Sequence, residues 1–140
     1  MKALRLLVVV AFVLCFAAIP VLAGSANEKA ALASARAWLS LIDNGQYAES
    51  WKEASAYFRG AVGEEAWKES LAGVRGPLGK VVSRAAGKAR EATQLPAAPD
   101  GTYVVMQFTT SFEHKKRAIE TVTFVQEQGG RWRAAGYFIK

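Results

Sequence analysis

Cysteine and histidine are nearly absent from this chain of 140 residues: Cys15 and His114 are the only examples of each. One thiol and one imidazole cannot supply the nitrogen and sulfur ligands of a zinc centre, and the carboxylates are scattered along the chain. No cofactor or metal is expected. Nucleophilic catalysis lacks its marks as well, because no Gly-x-Ser-x-Gly motif occurs. His114 stands beside Lys115, Lys116 and Arg117 in an expected hairpin and reads as an exposed loop residue. Gly73, Gly76 and Gly79 are not followed by a lysine-serine pair, nor preceded by a strand, so they form no phosphate loop.

Charge is missing from one long stretch. After Lys2 and Arg5, Leu6 to Ala23 carries 18 uncharged, mostly apolar residues, interrupted near its end by Pro20. A short basic start, an apolar run and small residues before a cut describe a secretory signal peptide. Cleavage is expected between Ala23 and Gly24, with a second candidate after Ala26. The rival reading is an uncleaved inner-membrane anchor, since the run reaches the lower length of a spanning helix. Cys15 follows Val13-Leu14 within the apolar run and does not resemble a lipidation site.

The expected organisation is therefore residues 1–23 as signal and 24–140 as a single α+β domain. The product would be periplasmic or secreted and free of cysteine. Losing Lys2 and Arg5 from the 18 basic residues leaves 16 against 12 acidic ones, a net charge of +4. With no disulfide available, stability must rest on apolar packing, to which Trp38, Trp51, Trp67 and Trp132 are suited.

The periodicity predicts three helices and then four strands. Ser25 and Glu28 have the spacing of a capping box, ahead of a stripe of Ala31, Ala35, Trp38, Leu39 and Ile42 that Asn44-Gly45 ends. Tyr47, Trp51, Ala54 and Phe58 mark one second helix that stops at Gly60. Glu64 and Glu65 open a third, with Trp67, Leu71 and Val74 as its stripe and Arg75-Gly76-Pro77 as its end. From Lys80 to Thr93 the period becomes two, which predicts a strand whose basic set, Arg84, Lys88 and Arg90, shares the solvent face. Further strands are expected over Thr102–Phe112, Ala118–Glu127 and Arg131–Ile139, joined by a charged loop at Glu113–Arg117 and a turn at Gly129-Gly130. The simplest assembly is a curved four-stranded antiparallel sheet wrapped around the helical layer, with room for a cavity between them.

Several stretches carry a resemblance: Trp38-Leu39, Ile42-Asp43 and Gly45, then Tyr47, Ser50-Trp51 and Phe58. Arg75-Gly76-Pro77-Leu78-Gly79 with Ser83-Arg84 continues it, followed by Leu95-Pro96, Pro99-Asp100-Gly101, Phe108 to Phe112, Glu120-Thr121-Val122 and Trp132-Arg133 to Gly136-Tyr137-Phe138-Ile139. Together they resemble the exported bacterial domain of unknown function numbered 4019, over roughly residues 28–140. The resemblance implies a cone-like fold similar to the nuclear transport factor two-like and cystatin-like domains, and it implies no activity.

Some cone-shaped domains of that broad fold move protons with a carboxylate and a tyrosine. The resemblance makes Glu120 with Tyr103 or Tyr137 the candidate catalytic set for an isomerase- or dehydratase-like enzyme, with Asp43 nearby as turn chemistry. The leading expectation is a non-enzymatic binding or interaction module whose partner is a small ligand or an envelope protein. Nucleic acid is not an expected partner of an exported protein, and membrane contact is expected only if the signal is uncleaved. Arg84, Lys88 and Arg90, with Lys115-Lys116-Arg117, read as solvated charge.

Overall fold

The computed structural model describes residues 24–140. The expected signal segment, including Ala23, lies outside them. Helix α1 spans Ala26–Asp43 and starts at Ser25, whose Oγ accepts the Glu28 N–H at 3.1 Å. That bond meets one of the donors a helix start leaves open. Ala31, Ala35, Trp38, Leu39 and Ile42 form its buried stripe, and Gly45 leaves the helix at φ +75°.

The expected second helix is two: α2 (Tyr47–Lys52) and α3 (Ala56–Ala61), giving four helices with α4 (Glu64–Arg75). Ser55 makes the break. Its Oγ caps Phe58 N–H at 3.1 Å, and its own N–H donates to the Ala134 carbonyl at 2.8 Å. The period of the apolar residues runs through this corner, so spacing alone does not reveal it. In α4, Trp67, Leu71 and Arg75 are buried, whereas Val74 is 48 % exposed, so an arginine takes the stripe position expected of the valine.

Strands β1 (Val81–Ala92), β2 (Tyr103–Phe112), β3 (Lys115–Gln126) and β4 (Trp132–Ile139) form one antiparallel sheet in that order. Lys115 to Arg117 belong to β3, not to a loop: Phe112 pairs with Lys115, and only Glu113-His114 turn between them. The sheet is open, with β1 and β4 as its edges, and so departs from the expected cone. Helix α1 crosses all four strands, yet Ala86 and Ala89 near the β1 edge stay exposed.

Two irregularities decide which side chains meet the helices. Along β1, Val81 faces Phe112 but Ser83 faces Ser111, so Val82 is an extra residue. Arg84 then stands opposite Thr110, on the helix side. A second extra residue between Ala86 and Ala89 puts Arg90 opposite Val105, on the outer face. The expected common solvent face of Arg84 and Arg90 is therefore wrong, because alternation resets at each bulge. Along β4, Gly136 faces Thr123 and Ala134 faces Phe124, leaving Ala135 as the extra residue. That insertion turns Tyr137 to the side that Trp132 and Ala134 already occupy.

The core lies between this face and the helices, around Phe108, Val122, Phe124, Leu39 and Trp38. Trp38 stacks on Trp67 at 6.1 Å, and Phe58 meets Trp67 edge-on at 4.9 Å. Ser50, fully buried, joins them: its carbonyl accepts Trp38 Nε1 at 2.8 Å and its Oγ accepts Trp67 Nε1 at 3.0 Å.

Candidate functional site

Among the described residues, two places have the makings of a site. The first grows from Glu120 on β3, which is 0 % exposed. Arg84 donates to it side-on, Nε to Oε1 at 2.7 Å and Nη2 to Oε2 at 3.2 Å. Thr110 Oγ1 donates to Oε1, and Tyr137 OH donates to Oε2. Four donors thus occupy the two carboxylate oxygens, about what their lone pairs hold. The far edge of the Arg84 guanidinium grips Asp43, Nη1 to Oδ2 at 2.6 Å and Nη2 to Oδ1 at 3.0 Å. Arg75 Nη2 adds a 2.8 Å bond to Asp43 Oδ1, while its guanidinium lies 4.9 Å from the centre of the Phe112 ring.

These neighbours fix the protonation states. Burial works to raise the Asp43 pKa, but the bonds and charges of Arg84 and Arg75 outweigh it and hold the carboxyl below its usual value of 3.8. Burial works to lower the Arg84 pKa, and its bonds to Asp43 and Glu120 more than reverse this, so the guanidinium stays charged. Burial first, and the Glu120 charge second, push the Tyr137 phenol far above its usual range. Tyr137 is therefore a fixed donor to Glu120.

Of the residues the sequence nominated, Glu120 and Tyr137 are in contact and Asp43 is joined to them through Arg84. Tyr103 is elsewhere: its hydroxyl donates to the Pro99 carbonyl at 2.5 Å, and it pairs with Val125 on β3. Arg75, Arg84 and Thr110 were missed as members. For Arg75 a signal existed, since it follows Trp67 and Leu71 at successive spacings of four on an apolar stripe.

The second place is a groove of about 550 Å³ between α1, α2 and the start of β4. Ala30, Ala37 and Leu41 line it along α1, with Trp38, Phe124 and Trp132 beneath. From Ala30 to Leu41 the helix rises about 16 Å, so the groove is long as well as apolar. Its rim carries Glu49 from α2, Glu53 just past the end of that helix, and Arg131 and Arg133 from the β3–β4 turn and β4. The sequence reading places Trp38 in the core and singles out none of the other lining residues as ligand contacts. A smaller hollow of about 180 Å³ lies between α4 and the end of β4, beside Val74 and Phe138.

Among the described residues there is no cluster of three or more His, Cys, Asp or Glu able to hold a metal ion. No helix among them is long and apolar enough to cross a membrane. No curated protein matches the chain. Residues 34–137, running from the middle of α1 to Tyr137, match the family described as a protein of unknown function (DUF4019). That match takes in the groove's core and every member of the Asp43–Arg84–Glu120 cluster, and the chain belongs to this family.

Proposed function

We propose that the protein is an exported, non-enzymatic binding module whose ligand lies in the groove between α1 and β4. The observation that carries this is the groove itself: about 550 Å³, apolar beneath and charged at the rim, within the size range of small-molecule sites. Export is supported by the basic start, apolar run and small residues before Gly24.

Proton transfer by Glu120 and Tyr137 has less support. The two touch, but both Glu120 oxygens are filled by Arg84, Thr110 and Tyr137, and no acceptor position is left for a substrate. The cluster reads as a polar staple joining α1, β1, β3 and β4.

A thermal-shift panel of apolar and amphipathic metabolites tests the binding role. A ligand at a hundred times its dissociation constant adds about 2.7 kcal/mol, which raises the melting temperature by several degrees. Ala37→Trp, which fills the groove from the exposed side of α1, should abolish the shift. A panel with no response, or a response unchanged by Ala37→Trp, contradicts the groove as the site. The mass of the protein recovered from its native host tests export: loss of residues 1–23 is expected, and a mass matching the full chain would mean a retained anchor.

A further inference from the structure

The groove's rim says what kind of ligand fits. Its charges do not stand equally free. Glu49 is bridged to Lys52 at 3.3 Å. Glu53 is bridged to Arg133 at 3.3 Å, and Arg133 also reaches Glu127 at 3.1 Å. Arg131 is exposed and forms no ion pair among the described residues. Three of the four rim charges are thus answered within the protein, and the remaining one is positive.

The backbone fixes the base of that side chain. Glu127 N–H donates to the Arg131 carbonyl at 2.7 Å, and Gly130 N–H to the Glu127 carbonyl at 3.1 Å. Gly129 and Gly130 sit at φ +82° and +81°, which only glycine adopts without strain, so the turn fixes the Arg131 Cα at the edge of the groove.

We infer that the groove takes an amphipathic monocarboxylate of the acyl-chain type, its chain along α1 and its head at Arg131. The inference rests on the groove being the binding site. An acyl chain suits the apolar lining because it brings no polar groups that need partners there, whereas a peptide buries an amide at every residue. Ser34 and the indole N–H groups of Trp38 and Trp132 are the neutral polar groups of the lining, and that of Trp38 is taken by the Ser50 carbonyl. The carboxylate supplies the negative charge that Arg131 lacks.

The test is a calorimetric titration of the full-length protein with laurate, lauryl alcohol and laurylamine. Laurate should bind roughly tenfold or more tighter than the alcohol, as one charge-assisted contact predicts, and the amine weakest. Arg131→Gln should bring laurate down to the alcohol's affinity and leave the alcohol unchanged. Ala37→Trp should remove the binding of all three. Equal binding of laurate and alcohol, or an Arg131→Gln variant that still prefers laurate, overturns the charge inference. If both probes nevertheless disappear in Ala37→Trp, the groove survives as the site. Binding that persists in Ala37→Trp removes the groove itself. A hydrophobic peptide that binds where laurate does not would overturn the acyl class in favour of a peptide.

Discussion

Arg84 spans two strands to reach Glu120, leaving β1, passing Thr110 on β2 and closing on a β3 carboxylate at 2.7 Å. Because the same guanidinium also holds Asp43 at the end of α1, one side chain fixes the sheet to the helix above it. Glu120 is fully buried and the Arg84 side chain only 12 % exposed, so water screens the pair poorly.

Glu120→Gln should cost about 3 kcal/mol, because it leaves Arg84 and Arg75 sharing the single charge of Asp43 in a buried setting. Urea unfolding followed by tryptophan fluorescence measures it. A loss under about 1 kcal/mol would show the staple to be dispensable. The same variant should bind groove ligands as the parent does.

The sign of the acid response follows from Asp43. Its folded pKa lies below its unfolded value, so its contribution is complete above about pH 4 and is lost as pH falls through the lower folded value. Asp43→Asn should flatten this part of the stability-against-pH curve. An unchanged acid limb in the variant would assign acid sensitivity to other carboxyls.

Tyr137 contributes to the opposite limb, together with Tyr103, whose phenol is also pushed up by burial. The folded pKa of Tyr137 is raised, so above about pH 10 the unfolded chain ionises while the folded one does not, and stability falls. Tyr137→Phe should cost about 1 kcal/mol at neutral pH through the lost bond to Glu120, and should lose less on going alkaline than the parent. An alkaline limb as steep as the parent's would contradict the buried phenol.

Ser50 carries the indoles. Ser50→Ala leaves the Trp67 N–H without its acceptor in the core and should cost about 1–3 kcal/mol. A red-shifted tryptophan emission should accompany it. Ser55→Ala should cost about 0.5–2 kcal/mol by uncapping α3, with little change in emission.

Much of the architecture was legible from spacing. The α1 stripe, the alternation of Val104, Met106, Phe108 and Phe112, and the glycine turns all follow from local rules that their own residues satisfy. What escaped was set by neighbours distant in sequence. The split of α2 from α3 depends on Ser55 bonding to Ala134, 79 positions away in the chain numbering. The inward turn of Arg84 depends on an extra residue at Val82, and that of Tyr137 on one at Ala135, neither of which leaves a mark on hydrophobicity. Glu120 and Tyr137 were nameable by residue type, but their partner Arg84 was not, because a strand arginine ordinarily faces water. The groove's residues come from three separated segments, and only the fold brings Ala37, Glu53 and Arg131 to one rim.

Ligands that act at the groove should leave the Glu120 staple untouched. Amide chemical-shift mapping during a laurate titration tests it directly. The predicted result is a set of shifts centred on Ala30, Ala37, Leu41, Arg131 and Trp132, with Thr110, Glu120 and Ile139 nearly still. Shifts centred on Thr110, Glu120 and Tyr137, with the α1 and Arg131 amides unmoved, would contradict it.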